Sequence, residues 1–342
     1  MQRDTLNRRK RFHKLPGKTK HTGERRQLEI TARDVAVFKI LARYRYLPID
    51  FIWRLLPADI RGTCYKRFQE RMGELHHQDY LNRPRAQRRS ENAKSRPLIY
   101  ELGSQGKAEC RARGIEIYPR LSDRQQFPHD LMACMVMAYI EIACAETQGL
   151  QLVTWEDILE HPATPEVLRA SKHPLSIPKI PIRLNGTSVS AKRDSRPFGI
   201  RGYGDGGNHY AFCSTGIEAD CSNEPLRPSD ITARANIEAK LRGYLYIEEE
   251  KVYQTHFGFP NNLDFFITTS KRRMRNIMQL FSDLTGGKGA DHVLFAYLPN
   301  MNSVETAPEP NAEFFLQNFE RVGHPPFNII NELHAALQKG AA

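Results

Sequence analysis

The sequence predicts a mixed α/β chain, α+β overall, organised as two domains. Three observations carry that prediction. First, its 342 residues are enough for two separate cores. Second, the front part shows helix-spaced apolar residues followed by a hairpin pattern, and the back part alternates strand, helix and strand. Third, charge is split along the chain. Residues 1–120 hold 29 Lys+Arg against 13 Asp+Glu, a net of +16, and residues 121–342 hold 21 against 26, a net of −5. A front half this basic points to nucleic acid as a partner.

The expected layout is a disordered basic arm over 1–28, a DNA-binding domain over 29–117, a linker and buried connecting helix over 118–150, and a second domain over 151–342. The arm has ten Lys+Arg against two acids and no apolar period. Such an arm can lie along phosphates or enter a minor groove. The first helix opens at Thr31 or Ala32 and buries Val35, Phe38, Ile40, Leu41 and Tyr44. Leu47-Pro48 stops it. Pro48 then suits the start of a second helix, with Phe51, Ile52, Leu55 and Leu56 inward.

IRGTCYKRFQERMGELHHQDYL, residues 60–81, reads as the third helix. Cys64, Phe68, Met72 and Leu75 are spaced four, four and three apart, which puts them on one face. Arg71 borders that face, within reach of a local pair with Glu74. On the polar side, Lys66 and Gln69 can reach base edges. Thr63, Tyr65 and Arg67 suit phosphate, and Arg61 suits either. The following NRPRAQRRSENAKSRP, residues 82–97, has six Lys or Arg and one acid. Its Arg83, Arg85, Arg88, Arg89, Lys94 and Arg96 suit backbone or minor-groove contact. The strand LIYEL and the helix GSQGKAECRARG close the module. Three helices, a basic loop between two short strands, and a closing helix make a winged helix-turn-helix, which binds double-stranded DNA. A homodimer would suit a palindromic site.

After a linker, His129-Asp130 starts a long apolar helix. Leu150–Trp155 reads as a strand, and residues 156–197 as an irregular insertion. FGIRGYGDGGNHYAFCSTGIEADCSNEPL, residues 198–226, reads as two strands. One ends near Asp205. The other carries Glu218 and Asp220 on the same side. On the next helix, Lys240 and Tyr244 stand one turn apart. Asp205, Glu218 and Asp220 can gather at one point, where mutual repulsion is relieved by a divalent cation, Mg²⁺ or Mn²⁺. LDFFITTS and HVLFAYL are buried strands on either side of the helix KRRMRNIMQLFSDL. The basic first turn of that helix opposes the helix dipole and suggests a phosphate contact. FNIINELHAALQ closes as an amphipathic helix.

The six cysteines form no CxxC pair, which argues against a zinc ribbon or a disulfide framework and for a reducing cytoplasm. MQRDTLNRRKRFHKL has no apolar core, so no secretory signal is expected there. No apolar run is expected to reach the ~18–20 residues of a membrane span. No cofactor is expected for DNA binding.

RFQERMGELHHQDYL, LIYELGSQGKAE, the helix-opening HDL, and IRGYGD with GIEADCSNEPL before EAKLRGYLYI together resemble the replication-relaxation family of bacterial mobile elements, over roughly residues 30–285. The back half resembles the PD-(D/E)xK nuclease fold, a mixed sheet flanked by helices. That resemblance implies Asp205 as the first acid and Glu218 as the second. Asp220 stands where an active nuclease usually has lysine, and Lys240 can supply the missing charge from the next helix. Three uses of the site follow. It is a degenerate nuclease-like scaffold, a metal-dependent nuclease or nickase using Asp205, Glu218, Asp220 and Lys240, or a set of unrelated loop acids. The resemblance further implies control of replication, transfer or transcription of a plasmid, prophage or integrated element.

Overall fold

A computed structural model describes residues 28–89, 97–117, 127–169, 183–184, 187–188, 193–204, 207, 209–227, 236–299 and 308–340. The chain is mixed α/β and divides into two compact units, Met1–Ala138 with Ser303–Pro310, and Tyr139–Asn302 with Asn311–Ala342. All of the expected basic arm but residue 28 lies outside the described residues.

In the first unit, α1 (Ala32–Tyr44) is started by a capping box. The Thr31 side chain accepts from the Asp34 backbone N–H, and Asp34 accepts from the Thr31 backbone N–H. The helix buries Val37, Phe38, Leu41, Ala42 and Tyr44. β1 (Leu47–Pro48) leads into α2 (Ile49–Leu55), with Pro48 at the cap, where its missing N–H costs nothing. α3 (Ala58–Arg61) is a single turn ended by Gly62 at φ 76°. α4 (Tyr65–His77) follows and buries Phe68, Met72, Leu75 and His76. β2 (Leu81–Asn82), a 3-10 turn (Arg85–Arg89), β3 (Ile99–Leu102) and α5 (Ser104–Ala112) complete the module.

The three strands form one antiparallel sheet in the order β1-β3-β2, with Leu47 opposite Tyr100 and Leu81 opposite Leu102. The buried Gln87 side chain extends it, donating to the Ile99 carbonyl at 2.8 Å and accepting from the Ile99 N–H at 3.1 Å. The single helix expected from residue 60 is therefore two helices. Cys64 does not belong to the buried face. It is the exposed N-cap of α4, because the break at Gly62 starts the helix later than the four-residue spacing implies.

α6 (Phe127–Glu146) is 20 residues long and apolar enough, by length and composition, to cross a membrane. This corrects the expectation that no segment reaches that length. Most of its apolar stretch is buried within the protein, as in the core helix of a globular fold.

In the second unit, β4 (Leu150–Val153) ends two residues earlier than expected. Thr154 caps α7 (Trp155–Glu160) with a second capping box. α8 (Glu166–Arg169) and the short hairpin of β5 (Arg183–Leu184) and β6 (Thr187–Ser188) fall within the stretch expected to be irregular. β7 (Phe198–Tyr203), β8 (His209–Ser214) and β4 form an antiparallel sheet in the order β4-β7-β8. The chain then turns through Gly216, at φ 135°, into β9 (Ile217–Asp220). A β-carbon at Gly216 would lie 2.6 Å from that of Arg193, so only glycine fits this crossing.

β9 joins a second, parallel sheet in the order β9-β10-β11, with β10 (Asp264–Thr268) in the centre and β11 (Val293–Tyr297) at the far edge. α9 (Ile237–Glu249), α10 (Val252–Phe257) and α11 (Lys271–Leu284) supply the helices of its larger core. Leu241, Tyr244, Phe257, Phe266, Ile277, Phe281 and Phe295 meet there. Phe265, on the opposite face of β10, packs against Phe198, Phe319 and Phe315 of α12 (Glu313–Leu316). α13 (Ile329–Gly340) lies on the antiparallel sheet, its Leu333 seated over Gly202.

Candidate nucleic-acid interface and carboxylate site

α4 separates its two faces sharply. Lys66, Arg67, Gln69 and Glu70 are exposed, while Phe68, Met72 and Leu75 are fully buried. Arg71 fixes the orientation of the helix. Its guanidinium donates to both oxygens of the buried Asp34, at 3.1 and 2.7 Å, to the Glu29 carbonyl at 2.6 Å, and to Glu74 at 3.0 Å. The expected pair with Glu74 is thus the outer part of a larger tie to the start of α1.

The other sequence-selected residues divide between surface and scaffold. Arg61 ends α3 with its guanidinium 5.9 Å from the Trp53 ring centre. Thr63 is exposed in the turn before α4. Tyr65 is half-buried, packs on Trp53 at 5.4 Å, and donates its hydroxyl to Asp50. Burial and then Asp50 hold that phenol well above its ordinary pKa. Arg83 is buried, donates to the Tyr100 hydroxyl at 3.0 Å, and lies over that ring. These two side chains are committed to packing rather than presented to a ligand. Arg85 is exposed, and Arg88 and Arg89 close the 3-10 turn. Lys94, Arg96 and Asp205 lie outside the described residues.

In the second unit, Glu218 and Asp220 project from the same side of β9, as strand alternation requires, and both are buried. Each meets a protein cation. Lys240 of α9 donates to Glu218 Oε1 and pairs with Glu224 at 2.7 Å, while the Tyr244 hydroxyl donates to Glu218 Oε2 at 2.5 Å. Asp220 accepts from Arg273 of α11 at 2.8 and 3.2 Å, from Thr268 at 2.9 Å, and from the Ser222 N–H at 3.0 Å. The basic first turn of α11 is therefore partly explained by an internal pair. Arg227 pairs with Asp283 rather than with Glu224.

The acid beside Glu218 is Asp194. Its backbone N–H donates to the Ile217 carbonyl at 2.9 Å, and its carboxylate accepts from the Ala219 N–H at 2.9 Å, so it brackets Glu218 along the strand. Sequence reasoning left Asp194 inside the irregular stretch. The available signal was an acid just ahead of the strand that pairs with β8. Arg193, its neighbour, is 3.4 Å from the Tyr244 ring centre and forms a buried pair with Asp264.

Burial, then the Asp194 charge, push the Glu218 carboxyl up to about 8, against the opposing pull of Lys240 and Tyr244. Burial works against the charged form of Lys240. The Glu218, Asp194 and Glu224 carboxylates overcome it and hold the ammonium above its ordinary pKa. As arranged, these residues do not fit a divalent cation. Both oxygens of Glu218 and both of Asp220 are already taken by protein donors, and among the described residues no group of three His, Cys, Asp or Glu is placed to hold a metal ion.

The family model for replication-relaxation matches residues 38–263, and the chain belongs to that family. The match covers α4 and the whole Asp194–Glu218–Lys240 group. No curated protein and no solved structure matches the chain.

Proposed function

We propose that this member of the replication-relaxation family is a cytoplasmic protein that binds double-stranded DNA through its first unit and controls replication, transfer or transcription of a mobile element. The observation that carries the reading is the face of α4. Lys66, Arg67 and Gln69 are exposed on a helix whose other side is locked into the core, and a short hairpin sheet stands beside it. Helix order, sheet order and charge fit a winged helix with α4 as the helix that enters the major groove. Lys66 and Gln69 would face base edges, and Arg67 and Arg85 would face phosphate.

The second unit serves, in this reading, as a degenerate nuclease-like scaffold. Lys240 and Arg273 supply from within the protein the positive charge that a metal ion would otherwise bring. A metal-dependent nuclease is the second reading. It is favoured by the gathering of Asp194, Glu218 and Glu224 around a single lysine.

Equilibrium binding to duplex DNA, followed over a range of salt, tests the first reading. Salt-sensitive binding that weakens on Lys66→Ala with Arg67→Ala is expected. Binding that ignores these substitutions would overturn the assignment to α4.

A further inference from the structure

We propose that the exposed basic patch at the start of α11 is a second contact for the phosphate backbone of duplex DNA, separate from α4. The patch consists of Lys271, Arg272 and Arg275. All three are exposed, and steps of one, three and four residues keep them on adjoining parts of the helix surface. The fourth cation of this stretch, Arg273, is turned inward onto Asp220.

Three features set the patch apart from an ordinary solvated face. Its position is electrostatically unfavourable, because the start of a 14-residue helix already carries positive partial charge. The neighbouring acids are already engaged elsewhere. Asp220 is held by Arg273 and Glu224 by Lys240, and among the described residues no carboxylate pairs with Lys271, Arg272 or Arg275. The patch is also a local exception, since residues 121–342 carry a net charge of −5.

Its place in the fold suits a ligand as well. β9 and β10 are parallel and end at Asp220 and Thr268, and α11 begins just beyond, at the sheet end where open α/β folds take their ligands. The hydroxyls of Ser222, exposed, and Thr269, half-buried, are bonded to each other at 2.9 Å beside it, leaving one O–H free to donate. Uncompensated cations and hydroxyls fit a polyanion held by its backbone. The choice of duplex DNA as that polyanion rests on the function proposed above.

The test uses the full chain and a fluorescent duplex, with affinity measured across a series of salt concentrations. One variant carries Lys271→Gln, Arg272→Gln and Arg275→Gln. A charge-matched control carries Lys251→Gln, Lys288→Gln and Lys339→Gln, all exposed and in the same unit. A third carries Lys66→Ala and Arg67→Ala. The patch variant should lower the slope of log affinity against log salt by about 2 to 3, at about 0.9 per phosphate contact, with the control close to wild type. Equal slopes for patch variant and control would overturn the patch. Loss in the patch variant with wild-type binding by the α4 variant would overturn the α4 reading and leave the patch standing. No binding by the wild type would overturn both.

Discussion

On α4, Lys66 and Arg67 stand exposed, and among the described residues no carboxylate pairs with either. In the second unit, Glu218 and Asp220 are buried, and every oxygen they carry is met by a protein donor. The contrast separates charge left to solvent from charge satisfied within the fold. A surface that waits for DNA keeps its cations solvated, where they cost little and can release counterions on binding. A carboxylate pair that waits for a metal would keep oxygens open. Here Lys240, Tyr244, Arg273 and Thr268 close them.

The largest effects should come from breaking the buried pairs. Arg71→Ala leaves the buried Asp34 with only its Thr31 donors and uncouples α4 from α1. It should cost about 3–5 kcal/mol in denaturant unfolding. Arg273→Ala does the same to Asp220 and should cost about 3 kcal/mol, with Thr268 and Ser222 still holding the carboxylate. If either variant keeps wild-type stability, the pairs are not what holds these elements in place.

An intermediate effect is expected at the exposed face. Lys66→Ala with Arg67→Ala should leave the unfolding midpoint unchanged and weaken duplex binding by roughly tenfold or more, by analogy with losing a base contact and a phosphate contact. A shift in stability instead would mean the two side chains are structural.

A separate effect is one of pH, and its sign is the informative part. The Glu218 carboxyl is raised from 4.5 to about 8, so the native state holds this proton more tightly than the unfolded chain does. The resulting stabilisation is complete below the unfolded value and is lost as pH rises through the native one. Thermal melts between about pH 5 and about pH 8 should therefore show the wild type losing stability relative to Glu218→Gln, which cannot titrate. Parallel melting curves would contradict the raised value.

What could be read from the sequence was what local chemistry determines. α11 matches its expected span from Lys271 to Leu284, because a serine cap and a 3.6-residue apolar period mark it without outside help. Thr31 at the start of α1 and the strands around Phe266 and Phe295 were legible for similar reasons. The placement of Cys64 was not, since a four-residue step to Phe68 says nothing of where the helix begins, and Gly62 decides that. Trp155 belongs to a helix because Thr154 and Asp157 form a capping box that outweighs the residue's preference for strand.

The site was only half legible. Strand alternation put Glu218 and Asp220 on one side, and Lys240 followed on the next helix. Their partners come from far along the chain. Arg273 is 53 residues from Asp220, and Asp194 is 25 residues from Ala219, which it binds. No local pattern announces pairs at such separations, and within the basic first turn of α11 nothing local marks Arg273 as the one cation that pairs internally with Asp220.

The most direct test is incubation of the purified chain with supercoiled and linear DNA in the presence of Mg²⁺ or Mn²⁺, beside Glu218→Ala and Asp194→Ala. The account predicts that both forms of DNA are bound and neither is cut, with binding weakened in Lys66→Ala with Arg67→Ala. Metal-dependent nicking or cutting that both carboxylate substitutions abolish would contradict it and make the second unit a working nuclease.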